Sequence, residues 1–380
     1  MMDKQIPRTL MEDIFIYDKG EAVSLIRAGH RIEEVVPVLE NCVSGGRRLP
    51  VYVVADANAA RYADALVSRP VSRGVEFCGR YLVEASEQGK TMETVLSMTG
   101  WLLDNDAGRN AFVLAVGGGI TTDMAGFAAS IYKRGIRFAY IPTTLLSQVD
   151  AAIGGKTGVN FDSYKNMIGV IRQPEFTFIC PEVLDSLPLR DFLSGAAEMV
   201  KSFVIEDHGD YVRAVDFLSG LRSAEDKAAF LSSRREMLCG LIHAAASVKA
   251  GIVSRDQFES GERRKLNLGH TFAHAIEKNA RTCGDDITHG EAVSIGIVMA
   301  AELSFRTGLA GEGFVRRLMR DFADAGLPVR CPYPLHALAG AMSRDKKAED
   351  GNIHFVLPVN VGEVLIKDMT AGEAVKLLEE

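Results

Sequence analysis

The chain has 380 residues, 47% hydrophobic and 24% charged, with a formal net charge of −7. That length gives two or three domains with ample core, and the composition is that of a globular chain without broad attraction to nucleic acid, although local lysines can still serve an anionic small molecule. Cys42, Cys78, Cys180, Cys239, Cys283 and Cys331 are scattered with no CxxC pair; this argues against a disulfide framework or a cysteine zinc site and fits a reducing, cytoplasmic setting.

The opening "MMDKQIPRTLMEDIF" lacks the basic start and apolar run of a signal peptide. No run of eighteen apolar residues is free of charge, so no membrane span is expected. From there short apolar runs alternate with helical patterns. "LPVYVVAD" (49–56) reads as a buried strand and "NAARYADALV" (58–67) as a helix. The stretch from 66 to 80 is turn-rich and has no readable period. "AFVLAVGGG" (111–119) is a strand ending in glycines, "DMAGFAASIYK" (123–133) a helix, and "FAYIPTT" (138–144) a third strand. This rhythm predicts a parallel sheet covered by helices.

The character changes near "FTFICPEVLDSLPLRD" (176–191). Beyond it, "LSGAAEMVKSFVIE", "KAAFLSSRREMLCGLIHAAASVKAGIV", "GHTFAHAIEKNA" and "GEAVSIGIVMAAELSFRTG" carry helical periodicity. "NIHFVLP" with "GEVLI" suggests a small late hairpin. The expected organisation is an α/β half over 1–180 and a mainly helical half over 181–380.

"VLAVGGGITTD" joins a strand, a glycine run and a helix start. Glycines let a backbone approach phosphate, and a helix N-terminus offers free N–H groups. Asp123 is either an N-cap or a ribose ligand; a tight structural turn explains the glycines nearly as well. "IPTTLLSQVDAAIGGKTGVNFDSYKNMIG" (141–169) sets Thr143, Thr144, Asp150, Lys156, Asn160, Lys165 and Asn166 between apolar anchors. Such a long polar connection is usually functional; a surface loop is the plain alternative.

"GAAEMVKS" places Glu198 and Lys201 on one helix face. They form either a surface ion pair or, given the Ala, Met and Val around them, a buried carboxylate in need of a cation. His270 and His274 are four apart, and His289 follows in "THGEAV". Two imidazoles with Glu198 would make a His₂Glu metal site with room for water or substrate; histidines hydrogen-bonded inside a helix bundle are the alternative. Lys249, Arg263 and Asn267 lead towards the histidines and suit an anionic substrate. Surface pairing of Arg263 with Glu262 or Asp256 is the other reading. "SRDKKAEDG" adds Lys346 and Lys347, in what otherwise reads as a surface turn.

Taken in order, "GGGITTDMAGFAASIYKRG", "IPTTLLSQVDAAIGGKTGVN", "KNMIG", "GAAEMVK", "LNLGHTFAHAIE", "HGEAV" and "DKK" resemble the 3-dehydroquinate synthases of the sugar-phosphate cyclase superfamily, from about residue 50 to about 362. The resemblance implies a Rossmann-like N-terminal domain, a helical C-terminal domain, bound NAD, one zinc or cobalt ion and a homodimer. It implies Glu198, His270 and His289 as metal ligands, with His274 facing substrate. It implies Asp56, Glu87, Lys90, Gly118, Gly119, Asp123, Thr143, Thr144, Lys156 and Lys165 around NAD. Asp150, Lys156, Asn166, Lys201, Lys249, Arg263, Asn267 and one of Lys346 and Lys347 would meet the substrate, a sugar acid phosphate, and Arg134 would reach the partner subunit's site. A sibling cyclase with another substrate, or a metal-dependent polyol dehydrogenase, is the alternative. Thr122 stands where the family usually has Gly, Ser186 replaces a usual Thr, and Arg172 lies where an aromatic is common.

Overall fold

The structure, a computed structural model, describes residues 11–45, 47–162, 164–342, 348–349 and 352–380. The chain divides into two units, one of residues 1–143 and 151–183, the other of 144–150 and 184–380.

The first unit is built on a seven-stranded sheet. Its strands are β1 (Ile14–Asp18), β2 (Glu21–Ala28), β3 (Leu49–Asp56), β4 (Val75–Val83), β5 (Phe112–Gly117), β6 (Arg137–Pro142) and β9 (Phe176–Ile179), in the order β1-β2-β9-β6-β5-β3-β4. Only β1 runs antiparallel to its neighbour. β3, β5 and β6 are apolar runs buried on both faces, as helix-covered parallel strands must be. The helices are α1 (Val35–Asn41), α2 (Ala60–Val67), α3 (Met92–Asp104) and α4 (Gly119–Ile131). α4 packs on β5 and β6 through Met124, Ala125, Phe127 and Ala128.

Several features differ from expectation, among them β1, β2 and β9, which the sequence pattern does not predict. The unreadable stretch near 66–80 contains the start of β4, an edge strand whose middle is half-exposed. The connection over 141–169 has structure of its own: β7 (Lys156–Phe161) and β8 (Tyr164–Ile171) form an antiparallel hairpin. Asp123 is not an N-cap, because α4 begins at Gly119, with Gly118 in the capping position.

The second unit holds α5 (Leu189–Ile205), α6 (Asp210–Ser223), α7 (Lys227–Ser233), α8 (Arg235–Arg255), α9 (His270–Cys283), α10 (His289–Arg306), α11 (Glu312–Asp324), α12 (Leu335–Met342) and α13 (Ala371–Glu379). A small antiparallel sheet adds β10 (Ala348–Glu349), β11 (Asn352–Asn360) and β12 (Glu363–Met369). α8 is long and apolar enough to cross a membrane, yet most of its apolar side chains are core residues packed on α5 and α6.

α10 is the buried centre of this unit, packed on α5, α9, α11 and β11. Its glycines decide how near the neighbours come. A Cβ on Gly296 would sit 2.2 Å from the Gly269 carbonyl oxygen, and one on Gly290 would sit 2.0 Å from the Ser194 oxygen. Gly269 itself has φ +77°, a left-handed value that glycine adopts without strain. Gly296→Ala forces backbone against backbone. It is expected to lower stability by about 1–3 kcal/mol or more, as overpacking does, read as a fall in the urea midpoint; an unchanged midpoint would mean that the helices separate freely.

Candidate active site

The chemistry of the second unit gathers around one carboxylate. Glu198 is fully buried on α5, and Lys201, one turn later, is buried beside it with Nζ 2.5 Å from Oε2. On the other oxygen, Glu198 Oε1 lies 3.5 Å from His270 Nε2 and 3.1 Å from His289 Nε2. His270 opens α9. His289 opens α10, where a capping box of Thr288 and Glu291 fixes the first turn. Burial alone would push the Glu198 carboxyl up; the Lys201 ammonium and the two imidazoles overcome this and hold it well below the usual range.

A second carboxylate extends the array. Asp150 accepts from Lys249 on α8, at 2.8 Å to Oδ1 and 2.7 Å to its backbone carbonyl, and Lys201 Nζ stands 3.8 Å from the same Oδ1. Burial works against the Asp150 charge, but Lys249 and Lys201 hold the carboxyl below its ordinary value. Burial lowers Lys249, reinforced by the nearby Lys201 and Arg263 charges and opposed by Asp150. The result is a run of alternating sign: Lys249, Asp150, Lys201, Glu198, then the histidines.

The turn before α9 carries the next group. Asp256 accepts the backbone N–H groups of Ser260, Gly261 and Arg263 at 2.7–3.0 Å. These bonds outweigh burial and bring its carboxyl down to about 2. The Arg263 side chain is buried, with Nη1 donating to the Gln257 carbonyl. Glu262 pairs with Arg255 and Lys265, so surface pairing with Glu262 does not describe Arg263. Asn267 Nδ2 donates to Glu259 Oε1 at 2.6 Å, and Glu259 holds a strained φ of +61°.

Glu198, His270 and His289 offer ligand atoms within 4.8 Å of one another. Glu198 Oε2 is buried without an aligned hydrogen bond despite the nearby ammonium. Two imidazoles and one carboxylate suit a divalent ion such as zinc or cobalt, with a position left open. His274 stacks edge-on against His270 with ring centroids 5.7 Å apart, but does not belong to that trio. Lys346 and Lys347 lie outside the described residues.

In the first unit, the order of strands reverses direction between β3 and β5, the point at which doubly wound sheets bind ligands beyond their carboxyl ends. Asp56 ends β3 and accepts the Asn58 N–H at 2.9 Å. Gly118 and Gly119 follow β5 and open α4, whose first N–H groups suit an anion. Thr143 follows β6, its N–H bonded to the Gly117 carbonyl at 2.9 Å. Lys90 is buried, with Nζ 2.6 Å from Asp123 Oδ2 and 2.5 Å from Asn166 Oδ1. Asn160 ties this group together: its Nδ2 donates to Glu87 Oε1 at 2.9 Å and its Oδ1 accepts from the Asn166 N–H at 2.9 Å. Lys165 Nζ lies 3.8 Å from Glu87. Lys156 is exposed at the start of β7, and Arg134 sits in a turn with φ +69°. Thr144 belongs to the second unit, where its hydroxyl bonds Ser147 at 2.8 Å.

Two carboxylates escaped the sequence reading. Glu259 lies in a turn with no period to betray it. Glu277 lies seven residues after His270 on α9, and its Oε1 is 3.4 Å from His289 Nδ1. The signal for Glu277 is its spacing: three residues after His274 and seven after His270, it shares their helix face.

Comparison with known proteins agrees with this geometry. Residues 80–194 match the model of the 3-dehydroquinate synthase N-terminal domain, and 195–348 that of the C-terminal domain. The chain is 40% identical over 318 residues to the 3-dehydroquinate synthase of Acidithiobacillus ferrooxidans, covering 83% of this chain and 84% of that one. It is 38% identical over 350 residues to that of Paracoccus denitrificans, covering 90% of each. A structure of 2-epi-5-epi-valiolone synthase from Streptomyces hygroscopicus subsp. jinggangensis, with NAD+ and Zn2+ bound, superposes with a TM-score of 0.79 at 29% identity over 96% of each chain.

The geometry separates two histidines that sequence spacing pairs. His289→Ala is expected to lower the zinc or cobalt retained after dialysis, and His274→Ala to leave it at the wild-type level, both measured by elemental analysis. Metal lost from His274→Ala but kept by His270→Ala would reverse the assignment.

Proposed function

Because the chain belongs to the 3-dehydroquinate synthase family, we propose that it converts 3-deoxy-D-arabino-heptulosonate 7-phosphate to 3-dehydroquinate and phosphate. The observation that carries the reading is the buried cation array of Lys201, Lys249 and Arg263 on the same unit as the Glu198, His270 and His289 trio. A polyol dehydrogenase has no use for three buried cations beside its metal; a substrate with carboxylate and phosphate does.

Substrate and products contain the same atoms at the same overall oxidation level. A hydride taken from the substrate would therefore have to be returned to it, and a bound dinucleotide would not be consumed. When bound, NAD supplies the hydride acceptor and the divalent ion a Lewis acid at the substrate hydroxyls. The chain's residues bind and orient. In this reading Asp56, Glu87, Lys90, Gly118, Gly119, Asp123, Thr143, Thr144 and Lys165 hold NAD, and Glu198, His270 and His289 hold the ion. Lys156, Lys249 and Arg263 neutralise carboxylate and phosphate, and Asp150, Asn166, Lys201, Asn267 and His274 complete the substrate contacts. Burial strengthens the contacts of Lys201, Lys249 and Arg263 relative to the surface. Keeping one substrate in place through several steps is a proximity effect. The proposed state is a cytoplasmic homodimer in which Arg134 reaches the site of the second copy.

The reaction separates this reading from its neighbours. With NAD, zinc or cobalt and the heptulosonate phosphate, phosphate is expected to be released in step with 3-dehydroquinate, without accumulating NADH. Stoichiometric NADH would point to a dehydrogenase, and inertness to this substrate to a sibling cyclase. Arg263→Lys keeps the charge and loses the two-pronged geometry. Its KM should rise about tenfold to a hundredfold, the equivalent of about 1.5–3 kcal/mol. Unchanged kinetics in a variant that melts normally would remove Arg263 from the site.

A further inference from the structure

His270 and His289 meet Glu198 in the same way, through Nε2. At the opposite edge of each ring, Nδ1 faces an acceptor. For His270 it is the Leu268 carbonyl, 3.2 Å away. For His289 it is Glu277 Oε1 at 3.4 Å, and Glu277 is 7% exposed. An imidazole that binds an ion through Nε2 must carry its proton on Nδ1, and that proton needs an acceptor. The turn before α9 supplies one to His270, and α9 itself supplies the other across to α10.

We propose that Glu277 is a positioning residue for the metal site, accepting the Nδ1 proton of His289 and so aiming the Nε2 lone pair at the point shared with Glu198 and His270. The inference rests on the reading that these three residues hold one ion. The two acceptors differ in kind. The Leu268 carbonyl is neutral and only orients its ring, whereas the Glu277 carboxylate also makes the ring a stronger donor. It also places a second buried negative charge near the ion, so that the ion's charge is opposed by Glu198 and Glu277 together.

Metal affinity tests this without turnover. Apoprotein is titrated with zinc against a chromophoric chelator for the wild type, Glu277→Gln, Glu277→Ala, His289→Ala and the double variant Glu277→Gln/His289→Ala. Loss of such a partner costs about 10–100-fold in affinity, so Glu277→Ala should weaken zinc binding by that factor. Glu277→Gln retains an acceptor oxygen without the charge and should lie between Glu277→Ala and the wild type. In the His289→Ala background, Glu277→Gln should have no further effect, because its influence passes through the ring that has been removed. Thermal melts of the apoproteins establish folding; if the alanine variant does not fold, the near-isosteric glutamine variant decides alone. Affinity within twofold of the wild type for Glu277→Gln and for any folded Glu277→Ala, with His289→Ala impaired, overturns the proposal and leaves the ligand trio standing. Equal weakening by Glu277→Gln with and without His289 also overturns it. If His289→Ala itself binds zinc as the wild type does, the ligand trio is wrong, a distinct failure.

Discussion

The second unit is organised around keeping Glu198 ionised where no water reaches it. An isolated carboxylate in such a place would take up a proton. Here Lys201 lies against one oxygen and two imidazoles against the other. Lys201 in turn faces Asp150, and Asp150 faces Lys249. Each charge is tolerable only because its neighbour is present, so the array is a single unit rather than a set of separate pairs. Buried ion pairs of this kind add little to net stability compared with apolar packing. Their persistence in a core otherwise filled with Ala, Val and Phe is better explained by what they bind, since perturbed ionisable groups concentrate at functional sites.

The array exists only because three helices approach closely. α5 carries Glu198, α9 His270 and α10 His289, and the contacts that bring them together are made by backbone at glycines. Gly290 follows His289 directly and rests on Ser194, one turn before Glu198 on α5. Gly296 rests on Gly269, which immediately precedes His270. Glycine contacts thus sit next to His270 and His289 and one turn from Glu198, where they set how closely the three side chains approach. The glycines read in sequence as part of helical patterns have this second meaning, which periodicity does not reveal.

Periodicity showed most where burial is complete. β3, β5 and β6 are continuous apolar runs because both faces are covered, and α5, α9 and α10 are long enough for their period to emerge. β1, β2, β4, β9 and the β7–β8 hairpin are not predicted by the sequence pattern. β4 and the hairpin have mixed exposure, and the hairpin's Asn160 and Asn166 bond each other and Glu87 instead of marking an inside and an outside. For the candidate site, residue type pointed to side chains that the structure brings together, Glu198 with Lys201, His270 and His289. It failed for Glu259, whose contact with Asn267 depends on a left-handed turn. Glu277 is a like case to Glu198, an acid buried on a helix beside a histidine.

The departures from the family pattern in the first unit have physical accounts of their own. Thr122 is enclosed within the first turn of α4; its N–H bonds the Gly118 carbonyl at 3.0 Å and its hydroxyl the Gly119 carbonyl at 3.0 Å. The side chain thus folds back on the helix, and the glycines that open it remain available to an anion. Arg172 stands where an aromatic is common and does part of an aromatic's work: its guanidinium lies 5.1 Å from the centre of the Phe138 ring, while Nη1 reaches the Ala129 carbonyl at 3.4 Å. Burial lowers its pKa, opposed by the nearby Glu175 charge. Both side chains are held by short local contacts inside one unit. The buried charges differ from these two side chains in that each relies on the next: removing Lys201 would strand both Glu198 and Asp150.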